Sequence, residues 1–237
     1  MKNETDNSLN SSLTDNVDLK LEIPIDGIGA EIKDDCLLIH SEKPLEVLTS
    51  SNKSKGHDKY SWIVDKQVPL DSEHSKLDQL LEESLEKMGL PKQTLGFVTA
   101  AEVKNAVVVS KRLQNFTVST VVTAGIHAAV TAGDEAIENL TPQTVNTIVL
   151  VDGNLTVSGM VSAVITATEA KTVVFRELDI KSLLSGEIAT GTASDAIAVA
   201  CTGTGRQTAF AGTGSILGEL IARTVRQATK RCLQKTL

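Results

Sequence analysis

Lys171 is the residue whose setting most strongly suggests chemistry. It lies in the stretch TATEAKTVVFREL, Thr166 to Leu178. On a helix advancing about 100° per residue, Met160, Val164, Ala167, Val174, Phe175 and Leu178 share one apolar arc. Lys171 points into the middle of it, whereas Glu169 and Arg176 point away. An ammonium inside such an arc needs a carboxylate partner, or a stem long enough to reach water. Placed in a cleft, it could face a substrate oxygen.

Other residues could join it. Asp152 and Asp195 each flank an expected strand at a loop, where a carboxylate either closes a turn or titrates in a cleft. Gly212-Thr213-Gly214-Ser215 precedes a helix, so it reads as a cap or as an anion-binding turn. Thr190, Thr192 and Ser194 are hydroxyls with no histidine nearby in sequence. His127 could act as a base, although a lone histidine at a strand end is more often structural. The spacing does not choose between a hydroxyl nucleophile and an activated water. GxSxG, GxGxxG and the Walker pattern are absent.

These loops need a scaffold. The chain has 237 residues, 41% hydrophobic but only 3% aromatic, so its core is built from Val, Ala, Ile and Leu. That composition, with a net charge of −7, argues against a nucleic-acid platform. Cys36, Cys201 and Cys232 show no paired spacing and read as reduced core thiols of a cytoplasmic protein. No CxxC or HExxH is written, so no metal is expected. No apolar run reaches membrane-span length.

Residues 1–16 are rich in Asn, Ser, Asp and Thr and read as a disordered tail. Residues 17–237 are expected to form a single domain. AEIKDDCLLIHS predicts a hairpin turning at Asp34-Asp35, and LEVLTSS and YSWIVDKQVPL predict further strands. DSEHSKLDQLLEESLEKMG predicts a helix capped by Asp71 or Ser72, with Leu77, Leu80, Leu81, Leu85 and Met88 as its apolar stripe and Gly89 at its end. LGFVTAAEV, NAVVVSKR and FTVSTVVTAG read as a strand meander. TVNTIVLVDG predicts a buried strand, then a helix from about Ser158 to Leu178, then the strand SDAIAVACTG and a last helix. The fold class is therefore α+β: a mixed, largely antiparallel sheet with three main helices packed on it. The loops at Asp152, Thr190–Asp195 and Gly203–Thr213 are expected to share one concave site.

The motifs VTAG, AGDE, TVNTIVLVDGNLT, TATEAKT, ATGTASDAIAVA, GTG and AGTGSILGELIARTV follow one another in the order in which the adenosylcobinamide amidohydrolases carry them. The chain resembles that family from about Asp18 to Leu237, most closely from Thr144 onward. The resemblance implies hydrolysis of adenosylcobinamide to adenosylcobyric acid and aminopropanol, in salvage for coenzyme B12. The corrinoid is then substrate, with no cofactor and no metal required, and homo-oligomerisation is left open.

The resemblance carries over Thr123, Gly125, Asp152, Thr168, Glu169, Lys171, Thr172, Thr190, Gly191, Thr192, Asp195, Gly203, Gly205, Gly212, Thr213 and Glu219. Amide hydrolysis builds charge on the carbonyl oxygen, which the Lys171 ammonium could stabilise. Glu169 is the first choice for proton transfer, with Asp152 or Asp195 next. The remaining residues of the set would bind substrate.

The chain departs from the family pattern in three places. Ser54-Lys55-Gly56 stands for Asn-Gly-Gly, Asp65 for an asparagine, and Ala128 and Thr131 for Asn and Arg. These changes imply altered side-chain specificity, or a relative that binds corrinoid without cutting it. An autoprocessing hydrolase with a Thr or Ser nucleophile is a third reading.

Overall fold

The computed structural model describes residues 19–136 and 142–237. The tail expected over residues 1–16 lies outside the described residues.

Nine strands form one mixed sheet. They are β1 (Leu19–Leu21), β2 (Ile28–Lys33), β3 (Cys36–Thr49), β4 (His57–Gln67), β5 (Leu95–Thr99), β6 (Val107–Leu113), β7 (Phe116–Ala124), β8 (Val145–Asp152) and β9 (Ala196–Cys201). The helices are α1 (His74–Lys87), α2 (Val157–Glu177) and α3 (Ile216–Leu233). The sheet runs β1-β2-β3-β9-β8-β7-β6, and β4 pairs with both β3 and β5. The α+β class holds.

The hairpin at Asp34-Asp35 forms as expected. Both residues take positive φ, 48° and 57°, the conformation a two-residue turn of this kind requires. LEVLTSS is not a separate strand. It is the second half of β3, which shifts register between His40 and Leu45. The first half pairs with β2 and the second with β9, while β4 runs along both.

The expected meander is only partly formed. β6, β7 and β8 are antiparallel neighbours. β5 instead lies parallel to β4, because α1 carries the chain back between them. α2 does the same for β8 and β9, which are also parallel.

Every residue of β8 except Asp152 is buried, since both faces are covered. Val149 and Val151 pack with Met160, Ala163 and Ala167 of α2 and Leu217, Leu220 and Ile221 of α3. Ile148 and Leu150 face the other way, against Ile39, Val47, Ile63 and Phe97. α1 is more loosely held, with Leu81 its buried residue rather than the full stripe. Its N-cap is Glu73 with no side-chain capping bond, in place of Asp71 or Ser72, and Gly89 ends it at φ 65°.

The three cysteines are buried and unpaired. Burial pushes their thiols up, to about 11 for Cys36 and about 12 for Cys201 and Cys232, so none is a ready nucleophile. Among the described residues, no helix is long and apolar enough to cross a membrane. Among the same residues, no group of three or more His, Cys, Asp and Glu side chains is placed to hold a metal ion.

Candidate active site

Lys171 does turn inward from α2, and its partner is Asp195. The two form an ion pair, with side chains 12% and 17% exposed. Asp195 precedes β9 and accepts three further bonds. The Thr192 hydroxyl donates to Oδ1, the Thr192 N–H to Oδ2 at 3.1 Å, and the Val145 N–H to Oδ1 at 3.0 Å. A carboxylate offers about four lone-pair positions, so all of those of Asp195 are in use.

Gly191 is what lets the pair form here. A Cβ on Gly191 would lie 2.6 Å from Lys171 Nζ and would overlap Asp195 Oδ2. Gly191 and Thr192 pair antiparallel with Val130 and Ala129, and the Thr172 hydroxyl is shared between the carbonyls of Thr168 at 3.0 Å and Thr190 at 3.1 Å. Ala128 is buried, and its carbonyl accepts from Ala193 N–H at 3.1 Å. The Thr131 hydroxyl donates to the Ile188 carbonyl at 2.9 Å. The substituted positions Ala128 and Thr131 thus brace the loop that carries Thr190, Gly191 and Thr192.

Asp195 borders a cavity of about 310 Å³. Ser50, Ser51, Lys53, His74, Asn146 and Ser194 are also in its wall. Lys53 is tied to Asp78 at 2.9 Å and Glu82 at 3.4 Å on α1, and the Asp78 hydrogen bond raises its pKa. The turn after it is ordered by Ser54, whose hydroxyl donates to the Ser51 carbonyl at 2.7 Å. Lys55 points outward and pairs with Asp58. Lys171 is not among the wall residues; it stands behind Asp195.

Behind the wall lies Asp65, 0% exposed. The Thr123 hydroxyl donates to it at 2.5 Å and the Asn146 amide at 2.9 Å. Burial pushes its pKa up to about 6, against the lowering effect of the two hydrogen bonds.

The expected single concave site is not formed, because the predicted residues divide between two ends of the parallel pair β8 and β9. Val145 and Asp195 stand at one end. At the other, Asp152 Oδ1 accepts the hydroxyls of Thr202 at 2.9 Å and Thr204 at 2.7 Å. Ala196 is level with Asn146 and Cys201 with Val151. At ~3.3 Å per residue the two aspartates are about 20 Å apart.

Gly203 and Gly205 lie at the Asp152 end, with φ 76° and 75°. The loop that continues through Gly212 and Thr213 serves to start α3. Ser215 donates to the Gly212 carbonyl at 2.8 Å and caps the Gly218 N–H at 3.0 Å. Glu219 pairs with Arg223 at 2.9 Å on the outside of α3.

Four more predicted residues lie apart from the pair. Glu169 is exposed on α2, because two residues from Lys171 is nearly half a turn away. Thr168 is also exposed, its hydroxyl donating to the Val164 carbonyl at 2.9 Å. His127 Nδ1 donates to Gln143 Oε1 at 2.5 Å, and together with Gly125 it borders a different cavity.

Asn146 is not among the expected site residues, and Asp65 is noted in the sequence only as a departure from the family pattern. Each carried a signal. Asp65 is in period-two step with core-facing Ile63, and Asn146 interrupts the apolar run of β8 in step with Ile148 and Leu150.

Residues 24–237 match the family described as CbiZ, adenosylcobinamide amidohydrolase. An uncharacterized protein of Methanocaldococcus jannaschii, MJ1613, is 30% identical, with 90% of each chain covered. The PH0078 protein from Pyrococcus horikoshii OT3 is similar at a TM-score of 0.45 and 11% identity, covering 88% of this chain and 78% of that one.

Proposed function

The chain belongs to the adenosylcobinamide amidohydrolase family, and on that premise we propose that it hydrolyses the amide joining aminopropanol to the corrin ring of adenosylcobinamide, giving adenosylcobyric acid for cobalamin salvage. The observation that carries the reading is the Lys171–Asp195 pair at the border of the cavity.

The cavity suits an arm rather than a ring. At roughly 30 Å³ per water-sized group, about 310 Å³ accepts about ten such groups. That is room for the amide and its aminopropanol, with the macrocycle resting outside.

In the proposed reaction, water attacks the amide carbon and gives its proton to Asp195. The C–N bond then breaks, and that proton passes to the departing amine nitrogen. The products are a carboxylic acid and a free amine. Asp195 must release one of its four bonds to take part. The Thr192 hydroxyl is the donor that can turn away, because it needs only a side-chain rotation. Lys171, fixed behind Asp195, holds that carboxylate in place and balances its charge. Among the cavity-wall residues, Lys53 is the ammonium that can face the carbonyl oxygen as it gains charge.

The filled lone pairs of Asp195 favour a second reading, a protein that binds corrinoid without cutting it. Mass spectrometry of adenosylcobinamide incubated with the protein separates the two. Adenosylcobyric acid and aminopropanol support the enzyme, and intact substrate retained by the protein supports the binder.

A further inference from the structure

Asn146 is 2% exposed, yet it lines the cavity. Its orientation is fixed by what surrounds it. Nδ2 lies 2.9 Å from Asp65 Oδ1 and 3.4 Å from the Val98 carbonyl. With the Asp65 carboxyl ionised both are acceptors, so the NH2 faces them; the flipped amide would set oxygen against two oxygens. Oδ1 therefore points the other way. The donor nearest to it is the Thr144 hydroxyl at 3.4 Å. That hydroxyl has one hydrogen, and the Ser194 carbonyl takes it at 2.8 Å. A buried acceptor with open lone pairs is thus left at the cavity wall, on the strand beside the one that Asp195 leads into. Leaving such a group without a donor is costly, and an incoming N–H would satisfy it.

We propose that Asn146 recognises the scissile amide by accepting its N–H at Oδ1, and that Asp65 is the positioning residue that holds the carboxamide in that orientation. This rests on the reading of the chain as an amidohydrolase. It assigns a specific task to the buried Asp65–Asn146 contact, which otherwise only places a carboxylate in the core.

The test is steady-state kinetics on adenosylcobinamide, with melting curves for every variant. Asn146→Ala should raise KM about 5- to 100-fold, the range for one lost buried hydrogen bond. Asn146→Ser serves in its place if the alanine variant does not fold. Asp65→Leu, which keeps the branched shape and removes the acceptor, should raise KM in the same direction. Asp65→Asn should restore KM to within about threefold, since its Oδ1 still accepts from Asn146. A merely structural Asp65 would move the melting temperature and leave KM alone. Unchanged KM in a folded Asn146 variant, or equal KM in Asp65→Leu and Asp65→Asn, overturns the proposal. Wild-type protein that neither binds nor converts adenosylcobinamide instead brings down the functional reading, and this inference with it.

Discussion

Lys171 on α2 and Asp195 before β9, 24 residues apart in sequence, form an ion pair that Gly191 makes room for. The pair joins the helix to the loop that borders the cavity. Its value lies in position more than in Coulomb energy, because taking two charges largely out of water offsets much of their attraction.

Lys171→Met therefore tests the pair. It leaves Asp195 with three donors and no cation. The expected cost is about 1–3 kcal/mol of stability, together with a fall in turnover. Were Lys171 only a stem crossing apolar surface, Met would be neutral or stabilising. Thermal unfolding and turnover measured on the same preparation tell the two apart.

Glu169→Gln and Asp195→Asn should behave oppositely. Glu169 is exposed and away from the pair, so its variant should keep turnover within about twofold of wild type, as expected of a side chain taking no part in proton transfer. Asp195→Asn should lose about 10²–10⁴-fold, the usual worth of a general base. A large loss in Glu169→Gln would return proton transfer to that residue.

Gly191→Ala and Gly203→Ala form a second contrast. The first puts a methyl group against Lys171 Nζ and Asp195, so it should break the pair and lower turnover. The second forces alanine to φ 76°, costing about 1–2 kcal/mol of stability, at the end away from the cavity. Its turnover should stay near wild type under conditions where it is folded. Equal loss in both would deny the Asp195 end its special role.

Asp65 predicts a pH dependence of stability. Its folded pKa of about 6 stands above the ordinary 3.8, so the native state holds the proton more tightly than the unfolded chain. The contribution is most favourable below about pH 4 and is lost as pH rises through about 6. The difference is on the order of 2–3 kcal/mol. Asp65→Asn removes the titrating group, so its melting temperature relative to wild type should climb from pH 4 to pH 7. A constant offset across that range would show that Asp65 does not titrate there.

Periodicity was enough to turn Lys171 inward and Glu169 outward, because both facts follow from one helix. The Asp34-Asp35 turn was legible for the same local reason. The partner of Lys171 was not, since pairing with Asp195 depends on where β9 enters the sheet. The expected single site failed on one topological point. β8 and β9 are joined through α2 and lie parallel, which puts the residue ending one strand far from the residue preceding the other. Asp65 and Asn146 carried the right alternation, but their meeting joins β4 to β8 and no local pattern writes it. Glycines read as ligand loops proved to be of different kinds. Gly191 clears space for a charge pair, whereas Gly212 offers its carbonyl to the cap of α3.

Quantifying aminopropanol and adenosylcobyric acid released from adenosylcobinamide by wild type and by Asp195→Asn decides whether Asp195 carries out the hydrolysis. Wild type should release the two products in equal amounts, and Asp195→Asn, folded and still binding the corrinoid, about 10²–10⁴-fold less per unit time. Substrate bound by wild type and recovered whole, or release undiminished in Asp195→Asn, would contradict that role.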